Sequence, residues 1–212
     1  MSDAKKASAV PKGCSSSRST LCGSGKNAMS HESKYFLCTQ RLGFRLWSPD
    51  DFDLAFGLWG DLKVTKLIDA RGQLSKNQVK KRLVKEIATA ESYSVQYWPI
   101  FLLSNDEHIG CCGLRPYDVS QAVYEIGLQI CSKHWKRGFA SEGARAVMEY
   151  AFDKLGVSGL FAGHNPKNEA SRHLLEKLGF RYSHDEYYAP TRLNHPSYMM
   201  TADEYVQLKN SD

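Results

Sequence analysis

The hydrophobic pattern is clearest near the middle of the chain, where apolar and polar residues alternate over residues 124–131. One face of this segment is apolar and consists of Ile126, Leu128 and Ile130. The other face consists of Glu125, Gly127 and Gln129. Because successive side chains of a strand point to opposite faces, the alternation predicts a β-strand with one face in the core.

The repeat changes after this strand, and residues 141–155 show the three- and four-residue spacing of an amphipathic helix. The apolar stripe contains Ala144, Val147, Met148, Ala151, Phe152 and Leu155. Gly156 follows where helices commonly end with a left-handed residue. We therefore predict a helix that starts near Ser141 and ends before Gly156.

Other patterns predict further elements on both sides of this unit. They are a strand at 41–46, helices at 49–60 and 75–90, a hairpin of strands 97–103 and 108–114, a strand at 160–164, a helix at 168–178, strands at 180–188 and 198–201, a loop at 189–197 between them, and helical turns at 202–208. This order predicts an α/β layered domain with a mixed sheet.

Capping residues define several helix ends. Ser48 and Pro49 open the first helix, Ser75 and Gln78 form a capping box for the second, and Asn168 caps the helix that Gly179 ends. The second helix points Val79, Leu83, Ile87 and Ala90 inward. Its outer face, interpreted as solvated, carries Lys76, Lys80, Lys81, Arg82 and Lys85. In the helix after Asn168, the inward residues are Ala170, Leu174, Leu175 and Leu178.

Composition adds an N-terminal extension to this picture. Residues 1–33 are rich in Ser, Ala, Gly and Lys without an apolar period, which predicts a disordered basic tail before a domain at 34–212. An organelle transit peptide, non-native residues and a start at Met29 are the alternatives. Five basic residues and one acid in residues 1–30 supply +4 of the net charge of +5, so we expect no nucleic-acid surface on the domain. No apolar run approaches the roughly 20 residues of a membrane helix, so we expect no membrane partner.

The six cysteines include no C-x-x-C pair, and no histidines accompany them at zinc-ligand spacing. We therefore expect reduced thiols, a cytoplasmic location and no metal. Cys111 and Cys112 are adjacent in a predicted strand, so we expect them on opposite faces.

The turn between the central strand and helix is suited to binding a pyrophosphate. It consists of Lys136, Arg137, Gly138, Phe139, Ala140 and Ser141. Gly138 permits a sharp turn and a close approach of the backbone to a ligand. The amides at the helix N-terminus have no internal partner, and the helix dipole and the two basic side chains attract an anion.

The turn resembles the acetyl-CoA signature of the GNAT N-acetyltransferase superfamily, Q/R-x-x-G-x-G/A. Trp135 replaces Gln or Arg at the first position, a form typical of the branch of ribosomal-protein N-terminal (Rim-type) acetyltransferases. The block from Asn168 to Phe180 is similar to the family's next motif, N-x-x-S followed by EKLGF. The resemblance runs from about Lys34 to the C-terminus, and it implies a mixed, mostly antiparallel central sheet flanked by helices.

The resemblance also implies where acetyl-CoA binds. The pantetheine arm is expected to pair with the end of the central strand, at Leu128, Gln129, Ile130 and Cys131. The pyrophosphate is expected on Lys136, Arg137, Gly138, Phe139, Ala140 and Ser141, and the thioester near Asn168 and Ser171. A purely structural alternative for Asn168 is helix capping.

Acetyl transfer to an amine needs a base for the amine and stabilisation of the leaving thiolate. Glu125 is the first candidate base, from its face of the strand and from the resemblance. Ser171 is the candidate proton donor to the thiolate. The Rim-type branch implies that Glu186 receives the amine, although Asp185 competes for this role and Glu186 competes with Glu125 as base. Exposed strand acids without function are the alternative.

Tyr198 is a candidate general acid, by resemblance to other GNAT branches, and neighbouring His195 is interpreted as structural. The expected reaction is direct transfer of acetyl from acetyl-CoA to a primary amine in a ternary complex, with a protein N-terminal amine favoured. A small amine (a polyamine, an amino acid or an antibiotic) and a non-catalytic acyl-CoA sensor remain open. The acceptor is expected to contact the loops at 61–74 and 189–197, in a monomer or homodimer.

Overall fold

A computed structural model describes residues 34–211, and one eight-stranded β-sheet runs through this part of the chain. The strands are β1 Leu37–Cys38, β2 Leu42–Phe44, β3 Tyr97–Leu102, β4 His108–Asp118, β5 Val123–Ile130, β6 Gly159–Gly163, β7 Arg181–Tyr188 and β8 Leu193–Thr201. Their order across the sheet is β1-β2-β3-β4-β5-β6-β8-β7. Every neighbouring pair is antiparallel except β5 with β6. The mixed, mostly antiparallel sheet is therefore confirmed, while the predicted tail lies outside the described residues.

Helices cover both faces of this sheet. They are α1 Phe52–Trp59, α2 Leu62–Thr65, α3 Lys76–Tyr93, α4 Phe139–Glu149, α5 Glu169–Lys177 and α6 Ala202–Lys209. Residues of α4, α5 and α6 share one buried cluster with Ile126 and Cys112, whereas α1 and α3 share the other with Cys111. Cys111 and Cys112 therefore lie on opposite faces, as the alternation predicts.

The predicted caps of α3 and α5 are confirmed, whereas Ser48 and Pro49 open a 3-10 turn, Pro49–Asp51, that leads into α1. Ser75 and Gln78 form the capping box of α3, and the side chain of Asn168 accepts a hydrogen bond at the start of α5. Helix α4 begins at Phe139, two residues before the predicted start, because Gly138 adopts a φ of +82° and serves as its N-cap. A π-helical segment, Tyr150–Leu155, continues α4 to Gly156, which has a φ of +65°.

Strand β8 corrects the prediction of a loop at 189–197, because the strand begins at Leu193 rather than at Tyr198. Its proline does not interrupt the strand. The carbonyl of Pro196 accepts a hydrogen bond from the amide of His164, so the side of Pro196 that lacks an amide faces the end of β6. The amide that Pro196 lacks would face His164, just beyond the last residue of β6, so the pairing with β7 is unaffected and the proline is tolerated.

Three predicted side-chain orientations are wrong, and one of them is Leu155 of the apolar stripe, which is 38% exposed. Ala170 is exposed, because α5 contacts the core only through its later residues Leu174, Leu175 and Leu178. Arg82 does not belong to a solvated face, since its side chain is only 14% exposed. Its guanidinium lies 4.4 Å from the centre of the Trp59 ring, where cation–π contact and a buried acid on α3 make the burial of a cation possible.

That acid is Glu86, which joins α3 to the sheet and is fully buried. One carboxylate oxygen forms an ion pair with Arg115 of β4 and lies 4.0 Å from Nε of Arg82. The other accepts a hydrogen bond of 3.1 Å from the amide of Tyr97 in β3. A buried charge with these partners is costly to disrupt, because removing it leaves a guanidinium and an amide unpaired.

We expect Glu86→Ala to lower the free energy of unfolding by about 3–5 kcal/mol, since it leaves uncompensated charge inside the protein. Urea denaturation followed by circular dichroism measures this loss. Glu91→Ala is the matched control, because Glu91 is an exposed residue of the same helix and should change stability by less than about 0.5 kcal/mol. Equal losses in the two variants would contradict the assigned role.

Candidate active site

The site begins where β5 and β6 separate. These parallel strands pair only from Val123 with Gly159 to Glu125 with Phe161. The amide of Cys131 donates to Ile109 of β4 at 2.8 Å. Because hydrogen-bonding direction alternates along an antiparallel strand, the main-chain groups of Leu128 point the other way, towards the gap. The edge of β5 is thus available to a ligand at Leu128, in agreement with the position expected for the pantetheine arm, which stays a prediction.

A cavity of about 760 Å³ occupies this gap and extends across the sheet towards α3 and β8. Its walls contain residues 125–129 of β5, residues 161–165 at the end of β6, and the first turns of α5. Cavities of roughly 300–1,000 Å³ are typical of small-molecule sites. Ile130 and Cys131 of the predicted arm site are instead buried outside the cavity lining.

The turn before α4 fits a pyrophosphate. Gly138 is exposed and has a positive φ, which residues with a side chain rarely adopt. A Cβ at this position would lie 3.4 Å from Nη2 of Arg41. The first helical hydrogen bond runs from the amide of Glu142 to the carbonyl of Gly138, so the amides just before Glu142 have no helical acceptor. Lys136 and Arg137 are exposed beside them.

Arg41 holds this turn in place from the start of the sheet. Its Nη1 donates to the carbonyl of Arg137 at 3.2 Å, and its Nε donates to Glu142 at 2.6 Å. Glu142 also accepts a hydrogen bond of 2.5 Å from Thr39. Burial raises the pKa of the Glu142 carboxyl, but hydrogen bonds from Thr39 and Arg41 outweigh it and leave the pKa below its usual value. The carboxylate therefore stays charged and anchors the turn.

Trp135, which replaces the usual first residue of the signature, has a structural role. Its Nε1 donates to the carbonyl of Ile130 at 2.7 Å, so the indole closes the end of β5. His134 is buried, and its Nδ1 lies 3.2 Å from Nη1 of Arg137, within hydrogen-bonding distance. Since an arginine can only donate, Nδ1 of His134 is the acceptor. His134 therefore orients Arg137, as a loop residue rather than a reacting group.

Glu125 is the last residue of β5 that pairs with β6, and Arg115 of β4 stands opposite it on the other side. The side chain lines the cavity on the α3 face of the sheet, as the alternation predicts. The ring of Tyr97 crosses over Gly127 towards Glu125. The crossing requires a glycine, since a Cβ at residue 127 would lie only 2.1 Å from Cζ of Tyr97. Burial first, and then the Glu125 carboxylate, raise the pKa of Tyr97 well above its usual value. Tyr97 thus remains a protonated hydroxyl beside Glu125.

Glu186 also lines the cavity, whereas Asp185 does not. Asp185 is instead 3.3 Å from the hydroxyl of Tyr182, which donates to it. Burial and then the carboxylates of Glu186 and Glu125 raise the pKa of Tyr117, so both acids lie near one hydroxyl. The geometry favours Glu186 over Asp185 as the second acid of the cavity.

Asn168 and Ser171 meet at the start of α5, where both line the cavity. Oδ1 of Asn168 accepts a hydrogen bond of 3.3 Å from the amide of Ser171, which is the capping contact. The hydroxyl of Ser171 has no hydrogen-bond partner among residues 34–211. It is therefore available to a ligand in the gap, and its predicted role as proton donor remains a prediction.

Tyr198 is not brought into the cavity. It is 5% exposed, belongs to the core cluster, and stacks on His164 with ring centres 5.5 Å apart. Burial and then Glu176 raise the pKa of Tyr198. His195 does line the cavity, and Thr191 lies 2.8 Å from its Nε2. Burial, followed by the charge of His164, lowers the pKa of His195.

Sequence reasoning missed the polar wall formed by Arg82, Arg115 and the side chain of Gln129. Oε1 of Gln129 accepts from Nε1 of Trp59 at 2.6 Å and from Nη2 of Arg82 at 3.2 Å. The four-residue spacing of Arg82 and Glu86 on one helix was the signal that could have revealed part of it. Gln129 stood on the polar face of the strand, but nothing in the sequence identified its partners.

Residues 34–211 contain neither a membrane-spanning helix nor a cluster of metal ligands. No helix there is both long and apolar enough to cross a membrane. Within the same residues, no three side chains of the His, Cys, Asp or Glu types converge as metal ligands.

Comparison with known proteins gives consistent results. The sequence model of the Acetyltransferase (GNAT) domain matches residues 41–181. An uncharacterized N-acetyltransferase, p20 of Bacillus licheniformis, is 29% identical over 145 residues, which cover 68% of this chain and 82% of that protein.

Solved structures share the fold at lower identity. A GNAT-family acetyltransferase from Bacillus anthracis superposes with a TM-score of 0.69 at 22% identity, over 79% of this chain and 98% of that one. RimL, a ribosomal L7/L12 alpha-N-protein acetyltransferase in complex with coenzyme A, gives a TM-score of 0.67 at 15% identity, over 78% and 97% of the two chains.

We expect Gly138→Val to abolish acetyl-CoA binding while the protein stays folded, because a branched side chain with positive φ would displace the turn. A thermal-shift titration measures binding: acetyl-CoA at about 100 times its dissociation constant adds roughly 2.7 kcal/mol, or on the order of 5–10 °C, to the wild type.

Gly156→Val is the matched control. Gly156 also has positive φ, at the other end of the same helical segment, and a Cβ there would have open space within 4 Å. This variant should lose similar stability from backbone strain yet retain the acetyl-CoA shift. Wild-type affinity in Gly138→Val would refute the pyrophosphate site.

Proposed function

The chain belongs to the GNAT acetyltransferase family and is an acetyl-CoA-dependent N-acetyltransferase, and we propose that it acetylates a primary amine by direct attack in a ternary complex. The amine of a protein N-terminus is the favoured acceptor. The observation that carries the proposal is the position of Glu125, at the last residue pair before β5 and β6 separate and inside the cavity that this separation opens.

Direct attack by the amine is supported by the protonation state of the two cysteine thiols near β5. Burial raises the pKa of Cys111 to about 12 and that of Cys131 to about 11. Both are therefore neutral near pH 7 and poorly suited to forming an acyl-enzyme intermediate. A transfer without a covalent enzyme intermediate needs only a base, a donor for the leaving group, and alignment of the two substrates.

Acetyl-CoA supplies the thioester, and the protein's residues supply the proton transfers. Glu125 accepts the proton of the attacking amine, directly or through one water, while Tyr97 holds the carboxylate in position. The main chain of β5 at Leu128 faces the gap, where its amide can stabilise a developing oxyanion. The hydroxyl of Ser171 donates a proton to the departing thiolate.

Preference for a peptide acceptor is supported by the rim of the cavity. Tyr187 and Tyr188 of β7 are exposed by 63% and 46%, and Tyr188 borders the cavity. Exposed aromatic side chains of this kind suit an extended peptide, whose backbone and side chains they can contact. RimL, which shares the fold, is named for acetylating a protein N-terminus. A small amine remains the second candidate.

We expect Glu125→Gln to lower kcat by about 10²- to 10⁴-fold, because the amide cannot accept the amine's proton. The acetyl-CoA thermal shift should not change, since the cofactor site rests on the backbone. Steady-state acetylation of a panel of peptides and small amines, followed by release of free CoA, measures the effect.

Glu149→Gln is the control for a lost surface charge, because Glu149 is exposed on α4 and does not line the cavity. Glu186→Gln tests the competing base. A larger loss in Glu186→Gln than in Glu125→Gln would transfer the role of base to Glu186. Acetyl-CoA binding without turnover of any amine by the wild type would favour a cofactor sensor instead.

A further inference from the structure

The lining of the cavity contains acids and bases from different elements. The carboxylates of Glu125 on β5 and Glu186 on β7 both influence the hydroxyl of Tyr117. Helix α3 contributes three basic side chains to the lining, and these are Lys81, Arg82 and Lys85. A cavity that contains both an acidic pair and a basic group is complementary to a ligand that carries both charges.

The other basic residues of the lining already have acidic partners. Arg71 donates two hydrogen bonds to Asp69, at 2.8 and 2.6 Å. Arg115 forms its ion pair with buried Glu86. Neither residue therefore contributes a free positive charge, and the excess positive charge of the cavity lies on α3.

The three side chains of α3 lack such compensation. Lys81 and Lys85 are exposed and have no acidic partner within residues 34–211. Arg82 has Glu86 at 4.0 Å from its Nε, too far for a hydrogen bond, and this buried Nε has no hydrogen-bond partner. Arg82 is thus a buried cation whose acid is mainly committed to Arg115.

Arg82 is also held rigidly. Its guanidinium lies over the ring of Trp59, and its Nη2 donates to Gln129 at 3.2 Å. Its Nη1 makes no hydrogen bond to any described residue. A planar guanidinium that is fixed before the ligand arrives loses little entropy on binding, and its geometry matches a carboxylate.

We propose that Lys81, Arg82 and Lys85 form an anion subsite that binds a carboxylate of the acceptor while the acceptor's amine lies at Glu125. The acceptor class is therefore a primary amine that also carries a carboxylate, either a free amino acid or a peptide with an acidic side chain near its N-terminus. The inference rests on the proposed function and narrows its acceptor. A polyamine is disfavoured, because its additional ammonium groups would meet the cations of α3.

The test compares acceptors that differ in one carboxylate, with each kcat/KM expressed per neutral amine, because the change of carboxylate to amide also lowers the pKa of the α-amine. L-phenylalanine is compared with L-phenylalaninamide, and the peptide Ser-Asp-Gly-Phe-amide with Ser-Asn-Gly-Phe-amide. We expect kcat/KM to be at least about tenfold higher for the carboxylate member of one pair, mainly because its KM is lower. This preference should decrease with added salt. Whether the amino acid or the peptide pair shows the preference identifies the source of the carboxylate.

Variants then assign the preference to α3. The double variant K81E/K85E should abolish or reverse it, while Lys80→Glu, an exposed neighbour on the same helix that does not line the cavity, should preserve it. Arg82→Gln should raise KM for the carboxylate acceptor by about tenfold with little change for its uncharged partner. Arg82→Lys, which keeps the charge but loses the planar fork, should fall between Arg82→Gln and the wild type.

Several outcomes would overturn the subsite. Equal kcat/KM within both pairs would refute it while leaving the acetyltransferase function intact. A loss of acetyl-CoA thermal shift in K81E/K85E would assign these lysines to the cofactor instead. If the wild type acetylates no amine, the proposed function fails and the subsite fails with it.

Discussion

The site depends on one interruption in the sheet. β5 and β6 are parallel and pair over only three residues on each strand before they separate. Buried main-chain amides and carbonyls need hydrogen-bond partners, so the edge of β5 beyond Glu125 is completed by a ligand or by water rather than by a strand. The turn at Gly138 joins β5 to α4 and does not itself line the cavity. A cofactor that follows the backbone therefore needs few particular side chains.

A buried charge connects this gap to the rest of the core. Glu86 holds the amide of Tyr97 and the guanidinium of Arg115, and both residues lie beside Glu125. Tyr97 can reach Glu125 only because Gly127 has no side chain at the crossing. The ion pair that stabilises the packing of α3 thus also determines the surroundings of the candidate base, which couples stability to catalytic geometry.

The proposed acceptor side of the site is built differently from the proposed cofactor side. Its walls come from α3, from the end of β6 and from β7 and β8, and their side chains include both acids and bases. Because side chains rather than backbone form these walls, acceptor preference can change by substitution while the cofactor turn stays the same. This division explains how one fold can serve acetyltransferases with different acceptors.

Local rules in the sequence were enough to predict the capping box at Ser75, the left-handed Gly156 and the inward and outward faces of β5, because each depends on residues close in the chain. The motifs around Gly138 and Asn168 were enough to indicate the family. Only the tertiary structure decided that Arg82 is buried, that Tyr198 lies outside the cavity and that β8 continues through its proline. The burial of Arg82 depends on partners in α1 and β5, and the other two outcomes depend on how β8 pairs with β6 and β7. Contacts between residues distant in the chain leave no local pattern, and the acceptor side of the site is made almost entirely of them.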